Sequence, residues 1–93
     1  MPVNVRIPAP LRNLTDGQKV VVVEGSTLLE VIRSLREQYP ALGERLCDDQ
    51  GSLRRFVNVF VNDEDIRFQG GIDTVVNDGD EIAIIAAIAG GAP

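Results

Sequence analysis

The residues with the clearest chemical potential lie at the carboxyl end of the chain, where Gly90-Gly91 precedes Ala92-Pro93. Glycine has no Cβ, so a carboxyl group on Gly91 could enter a narrow channel and be attacked at its carbonyl carbon. The small residues from Ala86 onward offer little side chain to bury, with Ile88 as the exception. We therefore interpret Gly90 and Gly91 as residues presented to partners, with Gly91 as the reactive position.

The rest of the chain does not suggest a self-contained enzyme. It contains no histidine, and no nucleophile–base pair, phosphate-binding loop or metal-ligand cluster is recognisable. Cys47 is the single cysteine, and no basic residue nearby in sequence would lower its pKa, so we interpret it as structural. The Asp48-Asp49 pair fits a polar loop better than a metal site. The sequence thus predicts no catalytic residue, no bound cofactor and no metal.

Composition limits the classes of protein that remain. At 93 residues the chain forms one domain with one modest core, and its formal charge is −5. Nucleic-acid binding is not expected, because phosphate contacts need clustered basic residues and here they are scattered. No apolar run approaches the roughly 18 residues of a transmembrane helix, and no leader pattern occurs. We expect a cytoplasmic protein without a membrane span.

The first part of the chain predicts a hairpin followed by a helix. Residues 3–7 alternate apolar and polar, and residues 19–24 form a β-branched run, so the two segments should pair as strands. Thr27 and Glu30 fit a capping box at the start of a helix that Pro40 ends. The apolar face of this helix follows the helical period at Leu28, Val31, Ile32 and Leu35.

The second part predicts further strands and turns. Residues 54–62 form a strong strand, residues 62–65 a turn and residues 66–68 a short edge strand. Leu42 and Leu46 fit one short helical turn. The bend at Asp78-Gly79-Asp80 should introduce the final strand, whose Ile82 and Ile84 we assign to the core.

An exposed apolar surface is expected on the sheet. If Val57, Val59 and Val61 face the helix, Phe56 and Phe60 lie on the opposite side. Ile85 would project on that side too if the two strands are neighbours. We interpret Phe56, Phe60 and Ile85 as a partner surface, with a second small core under a loop as the alternative.

The resulting order of elements is β-β-α-β-β-β, an α+β class. It predicts a β-grasp, or ubiquitin-like, fold: a mixed sheet of four to five strands crossed by one main amphipathic helix. The first and last strands should be adjacent at the centre of the sheet. Residues 1–89 would form the domain and residues 90–93 a flexible tail.

Several motifs carry a family resemblance across nearly the whole chain. Residues 56–68, Gly70-Gly71, the Asp78-Gly79-Asp80 turn and Gly90-Gly91 together resemble the bacterial ubiquitin-like sulfur carriers of the MoaD/ThiS family. Within that family, Ile7-Pro8, Leu11-Arg12 and Gly17-Gln18-Lys19 are also similar to the CysO-type carriers of cysteine biosynthesis.

The resemblance implies a protein co-substrate and a set of partner enzymes. An ATP-dependent adenylating enzyme related to ubiquitin-activating enzymes would convert the Gly91 carboxylate to an acyl-adenylate, and sulfur would replace AMP to give a thiocarboxylate. A cysteine synthase that uses pyridoxal phosphate (PLP) would then accept the sulfur. A JAMM-type zinc metallopeptidase would release the cysteine.

The carboxyl end departs from the family pattern. The working form of the family ends at the second glycine, whereas Gly91 here is followed by Ala92 and is an internal amide. A peptidase that cuts between Gly91 and Ala92 would remove Ala92-Pro93. Alternatively, the carrier is inactive, or Ala92-Pro93 is foreign to the native chain.

Different functions on the same fold stay open at this point. The sulfur could serve molybdopterin, thiamine or a specialised metabolite instead of cysteine. The chain could also be a ubiquitin-like modifier joined to target lysines, or a non-covalent interaction module with an inert tail.

Overall fold

A computed structural model describes residues 2–86; Met1 and residues 87–93 lie outside the described part. Its strands and helices are β1 (Pro2–Arg6), β2 (Val20–Glu24), α1 (Leu28–Gln38), α2 (Pro40–Leu46), β3 (Val57–Val61), β4 (Glu64–Asp65) and β5 (Glu81–Ala86). Three 3-10 turns connect them at Ala9–Thr15, Ile66–Phe68 and Gly71–Asp73.

The strands form one mixed sheet in the order β2-β1-β5-β3-β4. Strand β1 pairs antiparallel with β2 and parallel with β5, and β3 pairs antiparallel with β5 and β4. The predicted hairpin and the predicted contact between the first and last strands are both confirmed. This is the β-grasp layout, since α1 crosses one face of the sheet between the hairpin and the later strands.

Helix α1 begins at the predicted cap, with one change in the contacts. The Thr27 hydroxyl accepts from the backbone N–H of Glu30 at 3.3 Å. The Glu30 carboxylate does not return to Thr27 but accepts from the N–H and the hydroxyl of Ser26, both at 2.8 Å. These two hydrogen bonds lower the pKa of Glu30, because they favour its ionised form.

The core lies between α1, α2 and one face of the sheet. Alternate residues of each long strand and the apolar stripe of α1 supply it, as the sequence periodicity predicts. Its largest fully buried side chains are Ile7, Leu28, Ile32, Leu35, Leu42, Leu46 and Ile82. Tyr39 is half-buried and packs against this cluster.

Helix α2 is longer than the single turn expected around Leu42 and Leu46. Pro40 both ends α1 and occupies the first turn of α2, where its missing N–H removes no helical hydrogen bond. Gly43 then lets α2 approach α1 closely, since a Cβ at this position would lie 2.5 Å from Cγ of Arg36 and 3.1 Å from its Cα. Sequence periodicity does not show this contact, because it depends on how two helices cross.

The predicted edge strand at residues 66–68 is wrong. The edge strand is Glu64–Asp65, because Asn62 and Asp63 both adopt left-handed conformations and turn the chain back after only two residues. The Asp65 carboxylate then accepts from the N–H of Arg67 at 2.8 Å and from its guanidinium at 2.6 Å. This cap starts a 3-10 turn in place of a strand and leaves Phe68 80% exposed.

The loop after α2 is held by its own polar groups. The Asp48 carboxylate accepts from the N–H groups of Gln50 and Ser52 at 2.9 and 3.0 Å, so this acid closes a turn. Cys47 is a core residue, only 3% exposed, and burial raises the pKa of its thiol. Within residues 2–86 no group of His, Cys, Asp and Glu side chains is arranged to bind a metal ion.

Substitution Gly43→Val should destabilise the fold by about 1–3 kcal/mol, because the added side chain must displace α1 at Arg36. The free energy of unfolding from urea denaturation measures this. Ala41→Val is the matched control, since Ala41 lies exposed on the same helix. Equal stability of the two variants would contradict close packing at Gly43.

Candidate functional site

The tail leaves the domain from a central strand. β5 lies between β1 and β3, and its last residue, Ala86, is paired with Val57. The predicted site residues Gly90, Gly91 and Ala92, and the predicted boundary between residues 89 and 90, lie outside the described residues and stay predictions. Gly91 is five residues beyond Ala86, so even a fully extended chain carries it at most about 18 Å from the strand end.

The start of β5 is anchored on both sides. On one side, Asn4 of β1 donates its N–H to the Asp80 carbonyl at 3.0 Å. On the other side, the Asn62 amide donates to the Asp80 carboxylate at 3.1 Å and accepts from the N–H of Glu81 at 3.0 Å. Asp80 also accepts from the N–H of Asn77 at 2.8 Å. These contacts, which we call the Asn62 clamp, fix where β5 enters the sheet.

An exposed apolar patch lies beside the end of β5, as the sequence predicts. Phe56 is 40% exposed, Ile85 is 50% exposed and Phe60 is half-buried. The register places Ile85 opposite Asn58 and Phe60 opposite Ala83, so Ile85 lies diagonally across from Phe60. We call Phe56, Phe60 and Ile85 the apolar patch. Phe60 and Ile85 share a face by strand alternation, whereas Phe56 lies in the turn before β3. Use of the three residues by a partner stays a prediction.

The same face of the sheet carries a second apolar feature that sequence reasoning missed. Val20 and Val22 of β2 are 45% and 58% exposed, while Val21 and Val23 are buried. Four consecutive valines show no alternation of polar and apolar residues, so the run does not reveal which members face water. The residues of β1 show which valines face water. Arg6, which is exposed, pairs with Val20, and Asn4, which is half-buried, pairs with Val22.

Neither a depression beside α2 nor the thiol of Cys47 within it forms a catalytic site. The depression has a volume of about 770 Å³ and lies between α1, α2 and the following loop. Its lining consists of Pro40, Gly43 and Cys47 together with three arginines (Arg33, Arg36 and Arg54) and four acids (Glu37, Glu44, Asp48 and Asp49). The charges are mixed, and the Cys47 thiol has a raised pKa, which disfavours the reactive thiolate.

No helix among residues 2–86 is long and apolar enough to cross a membrane.

Comparison with known proteins places these features in a family context. The sequence profile described as the ThiS family matches residues 5–91. The chain is 50% identical over 93 residues to the sulfur carrier protein CysO of Mycobacterium tuberculosis, covering 98% of this chain and 100% of the relative. It is 33% identical to the small archaeal modifier protein 3 of Haloferax volcanii, covering 98% and 100%.

A solved structure shows the same architecture. The Amycolatopsis orientalis BexX/CysO complex contains a chain that superposes with a TM-score of 0.86 at 45% identity, covering 96% of this chain and 99% of that chain. The order and directions of the strands described above are therefore those of a known ubiquitin-like fold.

The Asn62 clamp can be tested by two substitutions at Asn62. Asn62→Gly should lower the free energy of unfolding by about 1–2 kcal/mol, because two side-chain hydrogen bonds are lost. Asn62→Ala should cost about 1 kcal/mol more, since Ala is strained at the φ of 51° found here. Chemical denaturation measures both changes.

The control for these variants is Asp63→Gly, which keeps the clamp and suits the positive φ of Asp63. It should leave stability within about 0.5 kcal/mol of the parent. If Asn62→Gly is as stable as Asp63→Gly, the two side-chain hydrogen bonds of Asn62 contribute nothing to the stability of the fold.

Proposed function

Because the chain belongs to the ThiS family of ubiquitin-like sulfur carriers, we propose that it carries sulfur as a thiocarboxylate on Gly91 for cysteine biosynthesis. The observation that carries this proposal is the 50% identity to CysO over 98% of the chain. The anchored central strand supports it, because β5 ends at Ala86, only four residues before Gly90 in the sequence.

The proposed chemistry needs a carboxylate on Gly91 and an external source of activation. A carboxylate is a poor electrophile, so an adenylating enzyme would use ATP to form the acyl-adenylate and release pyrophosphate. Sulfide would then attack the carbonyl carbon, with AMP as the leaving group. A persulfide donor would instead form an acyl disulfide, which a thiol must reduce to release the thiocarboxylate. The carrier itself needs no catalytic base in these steps, which is consistent with its lack of histidine.

The proposed sulfur acceptor is an enzyme that uses PLP as a cofactor. The thiocarboxylate sulfur, a soft nucleophile, would displace the leaving group from the β-carbon of an activated serine derivative. The resulting thioester would rearrange to an amide on the amino nitrogen of the new cysteine. A zinc metallopeptidase would then hydrolyse the bond between cysteine and the carrier and restore the Gly91 carboxylate. The BexX/CysO complex supports docking of partners, since a relative at 45% identity assembles with another protein.

Processing must come first in this scheme, because Ala92-Pro93 blocks the Gly91 carboxyl group. Hydrolysis of the Gly91–Ala92 peptide bond would expose it. Both glycines lack a Cβ, which leaves this bond open to a peptidase.

A protein modifier is the second candidate, favoured by the 33% identity to a small archaeal modifier protein. The same acyl-adenylate would then react with target lysines and form isopeptide bonds. Gly-Gly remnants on cellular lysines after proteolysis would support this function. Carriers serving molybdopterin, thiamine or a specialised metabolite share the tail chemistry and differ in the acceptor enzyme.

The test of the proposed function is the intact mass of the chain, tagged only at its amino terminus and recovered from its native host. We expect loss of Ala92-Pro93 and replacement of one oxygen by sulfur. Gly91→Trp should abolish both changes, because the bulky side chain blocks the tail. Sulfur loading of Gly91→Trp at normal levels would contradict the assignment of Gly91, and an untrimmed parent would favour a module with an inert tail.

Substitution Phe60→Glu should reduce the rate of adenylation at limiting carrier concentration about tenfold or more, because a charge at the apolar patch disrupts partner docking. The assay follows pyrophosphate release with a trimmed carrier. Val75→Glu is the matched control, since Val75 is exposed and lies outside the apolar patch. If Phe60→Glu unfolds the protein, Phe60 is a core residue and the docking role is wrong.

A further inference from the structure

The two edges of the sheet differ in how they are protected from pairing with another strand. At one edge, β4 is only two residues long and gives way to a 3-10 turn. Val59 is the residue of β3 next to the part that pairs with β4, and it is almost completely buried. An added strand therefore cannot pair with it. At the other edge, β2 is five residues long, with no element of the sheet beyond it. Only the β2 edge is available to a further strand within the described residues.

The register shows which backbone groups of β2 point outward. Ile7 donates its N–H to the Lys19 carbonyl at 2.8 Å, so the odd-numbered residues of β2 face β1. Val20 and Val22 therefore direct their N–H and C=O groups away from the sheet, and both residues are exposed. The Ser34 hydroxyl donates to the Glu24 carbonyl at 2.9 Å, which closes the far end of this edge. The open part is a short ladder of unpaired donors and acceptors.

The usual devices that block edge pairing are missing from this strand. Residues 20–23 contain no proline, no charge and no bulge, and valine has a high propensity for strands. The charges stand at the two ends, Lys19 before the run and Glu24 at its close. An extended strand is the occupant that such an edge fits.

We propose that the occupant is a second copy of this chain, paired antiparallel along β2. The antiparallel direction brings the Lys19 end of one copy next to the Glu24 end of the other, whereas a parallel direction would align like charges. With the two-fold axis at Val21, each Val20 lies opposite Val22 of the second copy. The side chains of Val20 and Val22 then contact those of the second copy across the new strand pair, and the outward N–H and C=O groups of both residues find partners.

The proposed dimer leaves the tail and the apolar patch accessible. Strand β1 separates β2 from β5, so four strands lie between the two β5 strands and separate them by about 24 Å. Both apolar patches occupy the same face of the joined sheet. The interface is small by the standards of stable complexes, and each copy carries a charge of −5, so the dimer is transient and depends on concentration. This inference does not depend on the proposed function.

The dimer is tested with the full-length chain by sedimentation velocity at increasing concentration, with NMR spectra of the same samples. We expect a rising sedimentation coefficient and concentration-dependent amide shifts confined to residues 19–25. Val22→Pro should weaken association at least tenfold, because proline removes the N–H that points toward the second copy. This N–H makes no hydrogen bond to β1, so the pairing within one copy is kept. Val22→Thr, which keeps the N–H, is the control and should still associate. A monomer at millimolar concentration, or unchanged association of Val22→Pro, overturns the proposal.

Exchange of the end charges provides a second test that does not rely on proline. Lys19→Glu and Glu24→Lys should each weaken the dimer several-fold, because each places like charges at the junction. The double variant restores opposite charges between the copies and should regain parental association. Failure of the double variant to recover, with its fold intact, would overturn the antiparallel pairing. Binding of an extended peptide from another protein to β2 without self-association would assign the edge to that partner instead.

Discussion

The parallel pairing of β1 with β5 is the constraint on which the rest of the structure depends. Parallel neighbours cannot be joined by a tight turn, so the whole chain between them must leave the sheet and return. That excursion contains α1 and α2, which cover one face, and β3, which closes the sheet on the other side of β5. The last strand is thereby held between two neighbours, and whatever follows Ala86 starts from a rigid position.

Covering only one face leaves the other face available for contacts. The large apolar residues on that face form two groups: the apolar patch next to the end of β5, and Val20 with Val22 at the β2 edge. Polar and charged side chains of β1, namely Asn4 and Arg6, lie between them. The two features are therefore separate surfaces, one beside the end of β5 and one at the β2 edge of the sheet.

Under the proposed function the domain contributes position, and the chemistry would belong to the tail and its partner enzymes. In the proposed scheme the reacting atoms are those of the Gly91 carboxyl group, and ATP, sulfur donor and acceptor all come from outside. A carrier of this kind needs a stable attachment point and a surface for docking. The Asn62 clamp meets the first requirement, because it ties the start of β5 to the turn after β3.

The sequence by itself determined the elements whose periodicity is regular, namely the β1–β2 hairpin, α1 with its Thr27 cap, and the alternating faces of β3 and β5. Family motifs spread along the chain predict the role of the Gly-Gly tail, which lies outside the described residues and stays a prediction. The tertiary structure decided what depends on contacts between distant segments. The close approach at Gly43 depends on helix crossing, and the short β4 depends on two consecutive left-handed residues at Asn62 and Asp63. The open edge at Val20 and Val22 could not be read from four identical valines, because only pairing with β1 decides which of them face water.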